Sequence, residues 1–203
     1  MKFAFCVEHD TDAKILCDLL RRVFGSPVEA DQTYSVRLGG ADSAFRLAHR
    51  IAATARAKGL DGAVFAIDND DHVEHSSEHD AQPDRDCRFC RLRKEANVSA
   101  LQGPTTGNPP LQFYFAVPVR TIETWLLLLR GHVFSGRPED SGRGPFGRRE
   151  LKRLVYGTDD ADQRLRSSIS SCLIAEGDLE ELGRRSAIFK ALVNQVREFQ
   201  AVR

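Results

Sequence analysis

The sequence has no long hydrophobic run and no excess of charge of either sign. The apolar run Trp125–Leu129 is far shorter than the roughly 18 residues that a membrane-spanning helix needs, and the apolar part of the N-terminus is too short for a signal peptide. Basic and acidic residues number 29 each, so no overall electrostatic field favours a nucleic acid or a membrane surface. These absences predict a soluble cytoplasmic protein in which any nucleic-acid contact depends on local charge.

Cysteine is also sparse. Five cysteines are scattered along the chain in an odd number and without a disulfide framework, which indicates a reducing compartment. The chain of 203 residues is long enough to bury a hydrophobic core. It corresponds to one domain, or to one domain with a small appendage.

The most informative stretch is GAVFAIDNDD, residues 62–71. Its apolar part, Val64–Ile67, is typical of a strand that is buried on both faces of a parallel sheet. Three carboxylates follow at once, on Asp68, Asp70 and Asp71. Carboxylates this close together repel one another and are tolerated more readily when a cation compensates them. A turn rich in Asp and Asn explains the stretch taken alone, but a second acidic cluster after another strand favours the cation.

The order of the predicted elements indicates an α/β fold. Strand-like and helix-like stretches alternate as βαβαβ, and Asp10 or Thr11 is expected to cap the first helix. Right-handed crossovers then give a Rossmann-like parallel sheet with helices on both faces. The strands are predicted at Lys2–Val7, Tyr34–Leu38, Gly62–Asp68 and Leu111–Val117, and the helices between them at about residues 11–24 and 42–58.

The C-terminal part is predicted to be helical. Residues 131–147 form a loop rich in Gly, Pro and Arg, and helices are expected at about Asp160–Leu173 and Leu179–Val202. The chain thus divides into an α/β domain, a module inserted into that domain and a basic loop with a helical cap. These parts span residues 1–130, 72–110 and 131–203.

The inserted module, residues 72–110, is rich in His and Cys and poor in apolar residues. Cys87-x-x-Cys90 follows several histidines, of which His75 and His79 share a helix face. These are the residue types of a structural zinc site, and a metal would give a fixed shape to a segment with little core of its own. The alternatives are a solvated His/Asp-rich loop, two ordinary cysteines at the start of a helix, and an HNH-type nuclease loop.

Acidic motifs follow the first and the third predicted strands, and together they resemble the pattern of a known fold. Glu8 and Asp12 lie in V-E-H-D-T-D after the first strand, and Asp68 and Asp70 lie in A-I-D-N-D after the third. Glu123 opens a helix in V-P-V-R-T-I-E-T-W-L-L. The pattern resembles the TOPRIM domain, the acidic Mg²⁺ fold of topoisomerases, primases and OLD-family nucleases, and in particular small bacterial proteins of the OLD-like and DUF4276-like group.

The resemblance covers about residues 2–129 and implies a TOPRIM-like sheet with a Mg²⁺ (or Mn²⁺) site. It implies that Glu8, Asp68 and Asp70 are the catalytic residues and hold the first metal ion. Glu8 is alternatively a general acid or base. The sequence departs from the family at His9, where the family often has glycine.

The resemblance also implies further metal ligands, and the clustering of basic residues suggests substrate contacts. Asp12 and Glu123 are the candidate ligands of a second metal ion, which would complete a two-metal clamp around a scissile phosphate. Arg88, Arg91 and Arg120 are the candidate substrate-binding residues, since phosphate binding beside a metal site uses such side chains. Basic residues gather in two stretches, at residues 85–94 and 130–153, which border the predicted acidic site in the sequence. A solvated charged face is the alternative explanation of both stretches.

The implied function is Mg²⁺-dependent hydrolysis of nucleic-acid phosphodiesters in bacterial defence against phage or mobile elements. The expected partners are DNA or RNA and an ATPase or other subunit of a defence system. The alternative is a non-catalytic subunit of a defence complex that binds metal and either a nucleic acid or a protein partner. Phosphoryl chemistry on a nucleotide is a third function consistent with the resemblance.

Overall fold

The computed structural model describes residues 1–36, 40–67, 73, 76, 78–100, 112–116, 121–135 and 144–202. The strands are β1 (Lys2–Val7), β2 (Glu29–Ser35), β3 (Gly62–Ala66) and β4 (Gln112–Ala116). The helices are α1 (Asp10–Phe24), α2 (Gly40–Ala57), α3 (Glu78–Ala81), α4 (Arg88–Ala100), α5 (Ile122–Leu129), α6 (Gly144–Tyr156), α7 (Gln163–Glu176), α8 (Leu179–Arg185) and α9 (Ala187–Val202). Within these ranges, no helix combines the length and apolar character needed to cross a membrane.

The strands form one parallel sheet in the order β2-β1-β3-β4. This confirms the predicted α/β fold with a parallel sheet and puts β1 beside β3, with Val7 opposite Ala66. Gly62 begins β3 at a point where any side chain would collide with the carbonyl group of Gln112 on β4. Glycine is therefore required for the close approach of these two strands.

Alternate side chains of the central strands serve two hydrophobic layers. Phe3, Phe5 and Val7 belong to one cluster, together with side chains of α1, α5 and the C-terminal helices. Ala4 and Cys6 belong to the other cluster, which α2 and α4 complete. Helices thus cover both faces of the sheet, as the apolar strand sequences predicted.

The second strand differs from the prediction. It spans Glu29–Ser35 rather than Tyr34–Leu38, and most of its side chains are exposed. It is an edge strand that pairs with β1, so backbone hydrogen bonds rather than burial define it. Its sequence, EADQTYS, has little of the apolar alternation by which a strand is recognised.

Helix α6 was not predicted. It begins at Gly144, inside the stretch that was predicted to be a loop rich in Gly, Pro and Arg. Its side chains Leu151, Val155 and Tyr156 are buried in the same cluster as α1 and α5. Tertiary packing therefore stabilises a helix whose first residues have low helix propensity.

The predicted C-terminal helix Leu179–Val202 is in fact two helices, α8 and α9, which meet at Ser186. Ser186 has an extended backbone, with φ −125° and ψ 108°. Its hydroxyl group accepts a hydrogen bond from the N–H of Phe189 at 3.2 Å. A serine in this conformation caps a new helix rather than continuing the preceding one.

Candidate functional site

Three predicted acidic residues lie at the end of the sheet where β1 stops. Glu8 directly follows β1, Asp12 lies in the first turn of α1, and Glu123 lies in the first turn of α5. Glu8 and Glu123 are both close enough to raise the pKa of Asp12. The first turn of a helix favours carboxylates, because its N–H groups are unpaired and carry partial positive charge. This is also the end of an open α/β sheet at which ligands bind.

Arg166 of α7 joins two of these carboxylates. Its Nη2 atom lies 3.2 Å from Glu123 Oε1 and 3.8 Å from Asp12 Oδ1. The side chains of Arg166, Glu123 and Asp12 are only 14%, 4% and 15% exposed. Solvent screens such buried pairs much less than surface pairs. The structure therefore brings Asp12 and Glu123 together around a guanidinium group.

Asp12 is also a capping residue of α1. The N-cap is His9, not Asp10 or Thr11 as predicted. The N–H of His9 donates a hydrogen bond to Asp12 Oδ2 at 3.1 Å, which is the contact that the third residue of a capping box makes. One oxygen of Asp12 thus serves the helix cap and the other faces Arg166.

Burial dominates the electrostatics of this cluster. It raises the pKa of Asp12 from 3.8 to about 7, with Glu123 and Glu8 adding to the rise and Arg166 opposing it. Burial, followed by Glu123, raises the pKa of Tyr156 to about 12. Burial by itself would lower the pKa of Arg166, but Glu123 and Tyr156 raise it on balance. The guanidinium group therefore stays charged while Asp12 titrates near neutral pH.

The raised pKa of Asp12 predicts a pH-dependent stability. Between pH 3.8 and about 7, Asp12 keeps its proton in the folded chain and loses it in the unfolded chain. The contribution of Asp12 to the free energy of unfolding therefore falls as the pH rises. The fall is at most roughly 1.4 kcal/mol per pH unit. In denaturant titrations across this range, the free energy of unfolding of the wild type minus that of Asp12→Asn should decrease with pH. A difference that stays constant or increases would contradict the assignment.

Four predicted site residues lie outside the described residues. They are Asp68, Asp70, His75 and Arg120. The structure does describe the approach to the first two: Ala66 pairs in register with Val7, and Ile67 is buried. Because β1 and β3 are adjacent and parallel, β3 brings the chain to the end of the sheet where Glu8 follows β1. The positions of the carboxylates after β3 stay predictions.

His79, Cys87 and Cys90 form a group that could hold a metal ion. The ligand atoms of these three residues all lie within 4.8 Å of one another. Cys87 and Cys90 are 1% and 6% exposed and belong to the cluster between the sheet, α2 and α4. The three residues are among the four predicted for a zinc site. The group lies on the face of the sheet opposite the cluster that packs α1 and α7.

Helix α4 explains why the two cysteines lie together. Cys87 directly precedes α4 and Cys90 lies in its first turn, so the spacing of three puts both on one face. Between them, Phe89 packs edge-on against Phe115 of β4, with ring centroids 5.5 Å apart. Burial raises the pKa of the Cys87 thiol to about 11, so a metal that binds there must displace a proton.

Asp84 lies next to His79, the histidine of this group. The Nε2 atom of His79 is 3.9 Å from Asp84 Oδ2, whereas its Nδ1 atom is buried. Asp84 is itself held in a turn, because its Oδ1 accepts the N–H of Asp86 at 2.6 Å. Histidines that bind metals usually have a carboxylate or carbonyl group at the second ring nitrogen. Asp84 is placed to orient the His79 ring in this way.

The predicted substrate-binding residues Arg88 and Arg91 lie on α4. The guanidinium carbon of Arg91 lies 4.0 Å from the centroid of the Phe45 ring, and its Nη1 atom lies 3.5 Å from Asp42 Oδ1. Both contacts are to α2, so Arg91 helps to hold α4 against α2. Half of its side chain, 50%, is exposed. A role of these two residues in substrate binding stays a prediction.

Arg166 is the residue of the acidic cluster that sequence reasoning missed. It lies 43 residues beyond Glu123, in the part predicted only as a helical cap. Arg164 on the same helix is of the same type and is exposed, so the local pattern does not single out Arg166. The available signal was indirect: several carboxylates at one end of a sheet require a cation, which the chain itself can supply.

Comparison of the chain with protein-family models, with curated proteins and with solved structures found no match.

Proposed function

We propose that the protein is a Mg²⁺-dependent TOPRIM-type nuclease that hydrolyses nucleic-acid phosphodiesters. The observation that carries the proposal is the pairing of β1 with β3, with Val7 opposite Ala66. This register brings Glu8 and the segment after β3 to the same end of the sheet. Asp12 and Glu123 lie at that end too. Carboxylates of this kind, at the carboxyl ends of parallel strands, suit a Mg²⁺ ion that also binds substrate phosphate.

Glu8, Asp68 and Asp70 are the proposed ligands and catalytic residues. When bound, Mg²⁺ would polarise the phosphate and favour a hydroxide nucleophile. The partly exposed side chain of Glu8 can bind this ion or transfer a proton as general acid or base. Asp12 and Glu123 are buried at the same end of the sheet and are paired with Arg166. Bacterial defence, with an ATPase as a further partner, is the proposed setting and rests on the family resemblance.

Cations on the surface of α6 support a nucleic-acid substrate. Arg148, Arg149 and Lys152 line a surface cavity of about 350 Å³, together with Asp159 and Asp160. This cavity lies in one of the basic stretches that the sequence singled out. Cations of this kind neutralise backbone phosphates and make binding dependent on salt.

We further propose that the metal held by His79, Cys87 and Cys90 is zinc, with His75 as the fourth ligand. Two thiolates and two imidazoles form a common structural zinc set. The buried position of both cysteines favours a structural role over catalysis. Such a zinc ion would hold the inserted segment that follows β3, and with it the chain that carries Asp68 and Asp70.

A metal-dependent cleavage assay tests the proposed activity. Plasmid, linear and single-stranded DNA and structured RNA would be incubated with Mg²⁺ or Mn²⁺, and with EDTA. We expect cleavage by the wild type to disappear with EDTA and in Asp68→Ala and Asp70→Ala. A suitable control is Glu29→Ala, which removes an exposed carboxylate at the opposite end of the sheet and should leave cleavage unchanged. Full activity in both aspartate variants would refute the assignment of the site.

A non-catalytic binding subunit is the second candidate function. It is favoured by the ion pairs of Arg166, which leave Asp12 and Glu123 buried and compensated rather than open to substrate. Absence of cleavage on every substrate, together with salt-dependent binding of DNA or RNA, would support this alternative.

A further inference from the structure

The proposed reaction does not use Arg166 or the two carboxylates that it pairs with, Asp12 and Glu123. We propose that the guanidinium group of Arg166 takes the place of a second metal ion between Asp12 and Glu123, so that this end of the sheet takes a single divalent cation. The inference rests on the proposed function for that cation, at Glu8 and the segment after β3. It replaces the two-metal clamp that the family resemblance implies.

The geometry supports this assignment. A single atom, Arg166 Nη2, lies 3.2 Å from a Glu123 oxygen and 3.8 Å from an Asp12 oxygen. It occupies the position between the two carboxylates where a bridging cation would bind. The other oxygen of Asp12 accepts the N–H of His9 at 3.1 Å. A metal ion between Asp12 and Glu123 would therefore compete with Arg166 for the same carboxylate oxygens.

The environment favours a guanidinium group over Mg²⁺. The two carboxylates are 4% and 15% exposed, and Mg²⁺ usually keeps several of its water molecules. A guanidinium group is more weakly hydrated and is suited to buried ion pairs. The ring of Tyr156, with its centroid 5.6 Å from the guanidinium carbon, adds an aromatic surface beside the cation.

Packing of α7 on α1 keeps Arg166 in this position. Ser171, on the same helix, accepts a hydrogen bond from Lys14 Nζ at 2.7 Å and donates one to Asp18 Oδ2 at 2.7 Å. At the end of α7, Arg22 donates to the carbonyl of Gly177 at 2.6 Å. These contacts join α7 to α1, the helix that carries Asp12. The C-terminal helices thus supply one residue to a site whose two carboxylates lie on α1 and α5.

Counting bound Mn²⁺ tests the inference without any need for activity. The protein would first be loaded with zinc to fill the His/Cys group, and bound Mn²⁺ would be counted by electron paramagnetic resonance during titration. Asp12→Asn and Glu123→Gln should bind as many Mn²⁺ ions as the wild type. Arg166→Met should bind one more ion than the wild type, and Arg166→Met/Asp12→Asn should lose that additional ion. Arg164→Met, on the same helix, is the matched control and should bind as the wild type does.

The outcomes separate this inference from the proposed function. Loss of a Mn²⁺ ion in Asp12→Asn or Glu123→Gln would show that these residues hold a metal and would overturn the inference. An unchanged count in folded Arg166→Met would overturn it too. If Arg166→Met does not fold, the two carboxylate variants decide alone. Failure of the wild type to bind any Mn²⁺ would count against the proposed nuclease, while the additional ion in Arg166→Met would still support the role of Arg166.

Discussion

Replacing Arg166 with Met is expected to lower the free energy of unfolding by about 3–5 kcal/mol at pH 8. The substitution removes the guanidinium group that lies 3.2 Å from Glu123 and 3.8 Å from Asp12. Both carboxylates then remain buried without this compensating charge, and that penalty exceeds the loss of the attraction itself. Urea or guanidinium titration of the two proteins, monitored by circular dichroism, measures the difference.

Double variants and pH distinguish this explanation from a loss of packing. Adding Asp12→Asn or Glu123→Gln to Arg166→Met should recover part of the lost stability, because each removes a buried negative charge. The loss should also be smaller at pH 5, where the raised pKa of Asp12, about 7, keeps its carboxyl group neutral. Arg164→Met should change stability by no more than about 0.5 kcal/mol. A loss below about 1 kcal/mol for Arg166→Met at pH 8 would show that the ion pairs contribute little.

The central strands were predictable because burial on both faces leaves a direct sequence signal. The run in Lys2–Val7 is apolar at nearly every position, and the structure gives β1 the same bounds. The second strand was predicted too far along the chain, because an edge strand is defined by backbone pairing and needs few apolar side chains. Helix α6 was missed because the hydrophobic layer that stabilises it comes from α1 and α5, and such packing cannot be read from a local window.

The same contrast applies to the candidate sites. His79, Cys87 and Cys90 could be predicted as a group because the chemistry of each residue is distinctive and the separations are short. Glu123 was singled out through the family resemblance, in which a Glu opens the helix after the fourth strand, and it does lie in the first turn of α5. Arg166 could not be predicted, since only the docking of α7 on α1 determines which arginine of the C-terminal helices reaches the carboxylates. Tertiary contacts thus decide how the acidic residues are compensated.

The two groups lie on opposite sides of the sheet and flank the same segment of chain. In the sequence, residues 68–77 connect Ile67, which directly follows β3, to α3, which carries His79. The described residue before this segment, Ile67, is buried, and the histidine of the His/Cys group lies on the helix after it. In the proposed nuclease, the metal at His79, Cys87 and Cys90 would act on catalysis through the position of Asp68 and Asp70.

At a free zinc concentration near 1,000 times the dissociation constant, the proposed zinc ion should stabilise the protein by about 4 kcal/mol. Removing the zinc is expected to lower the free energy of unfolding by that amount. For a chain of this size, that corresponds to a fall in melting temperature of about 8–16 °C. The effect should extend to the whole fold, because Cys87 and Cys90 lie in the cluster that also buries Phe65 and Phe115 of the central strands. Elemental analysis and differential scanning calorimetry, with and without a zinc chelator, measure both quantities.

Three variants identify the ligands in the same experiment. Cys87→Ser should lose the bound zinc and melt near the temperature of the chelated wild type. Asp84→Asn should keep a site with about 10- to 100-fold lower zinc affinity, because the His79 ring would lose an orienting carboxylate. Cys172→Ser is the matched control, since Cys172 is exposed and lies outside the group, and it should behave as the wild type. A wild type that binds no zinc, or that melts unchanged after chelation, would show that the buried cysteines serve only as apolar core residues.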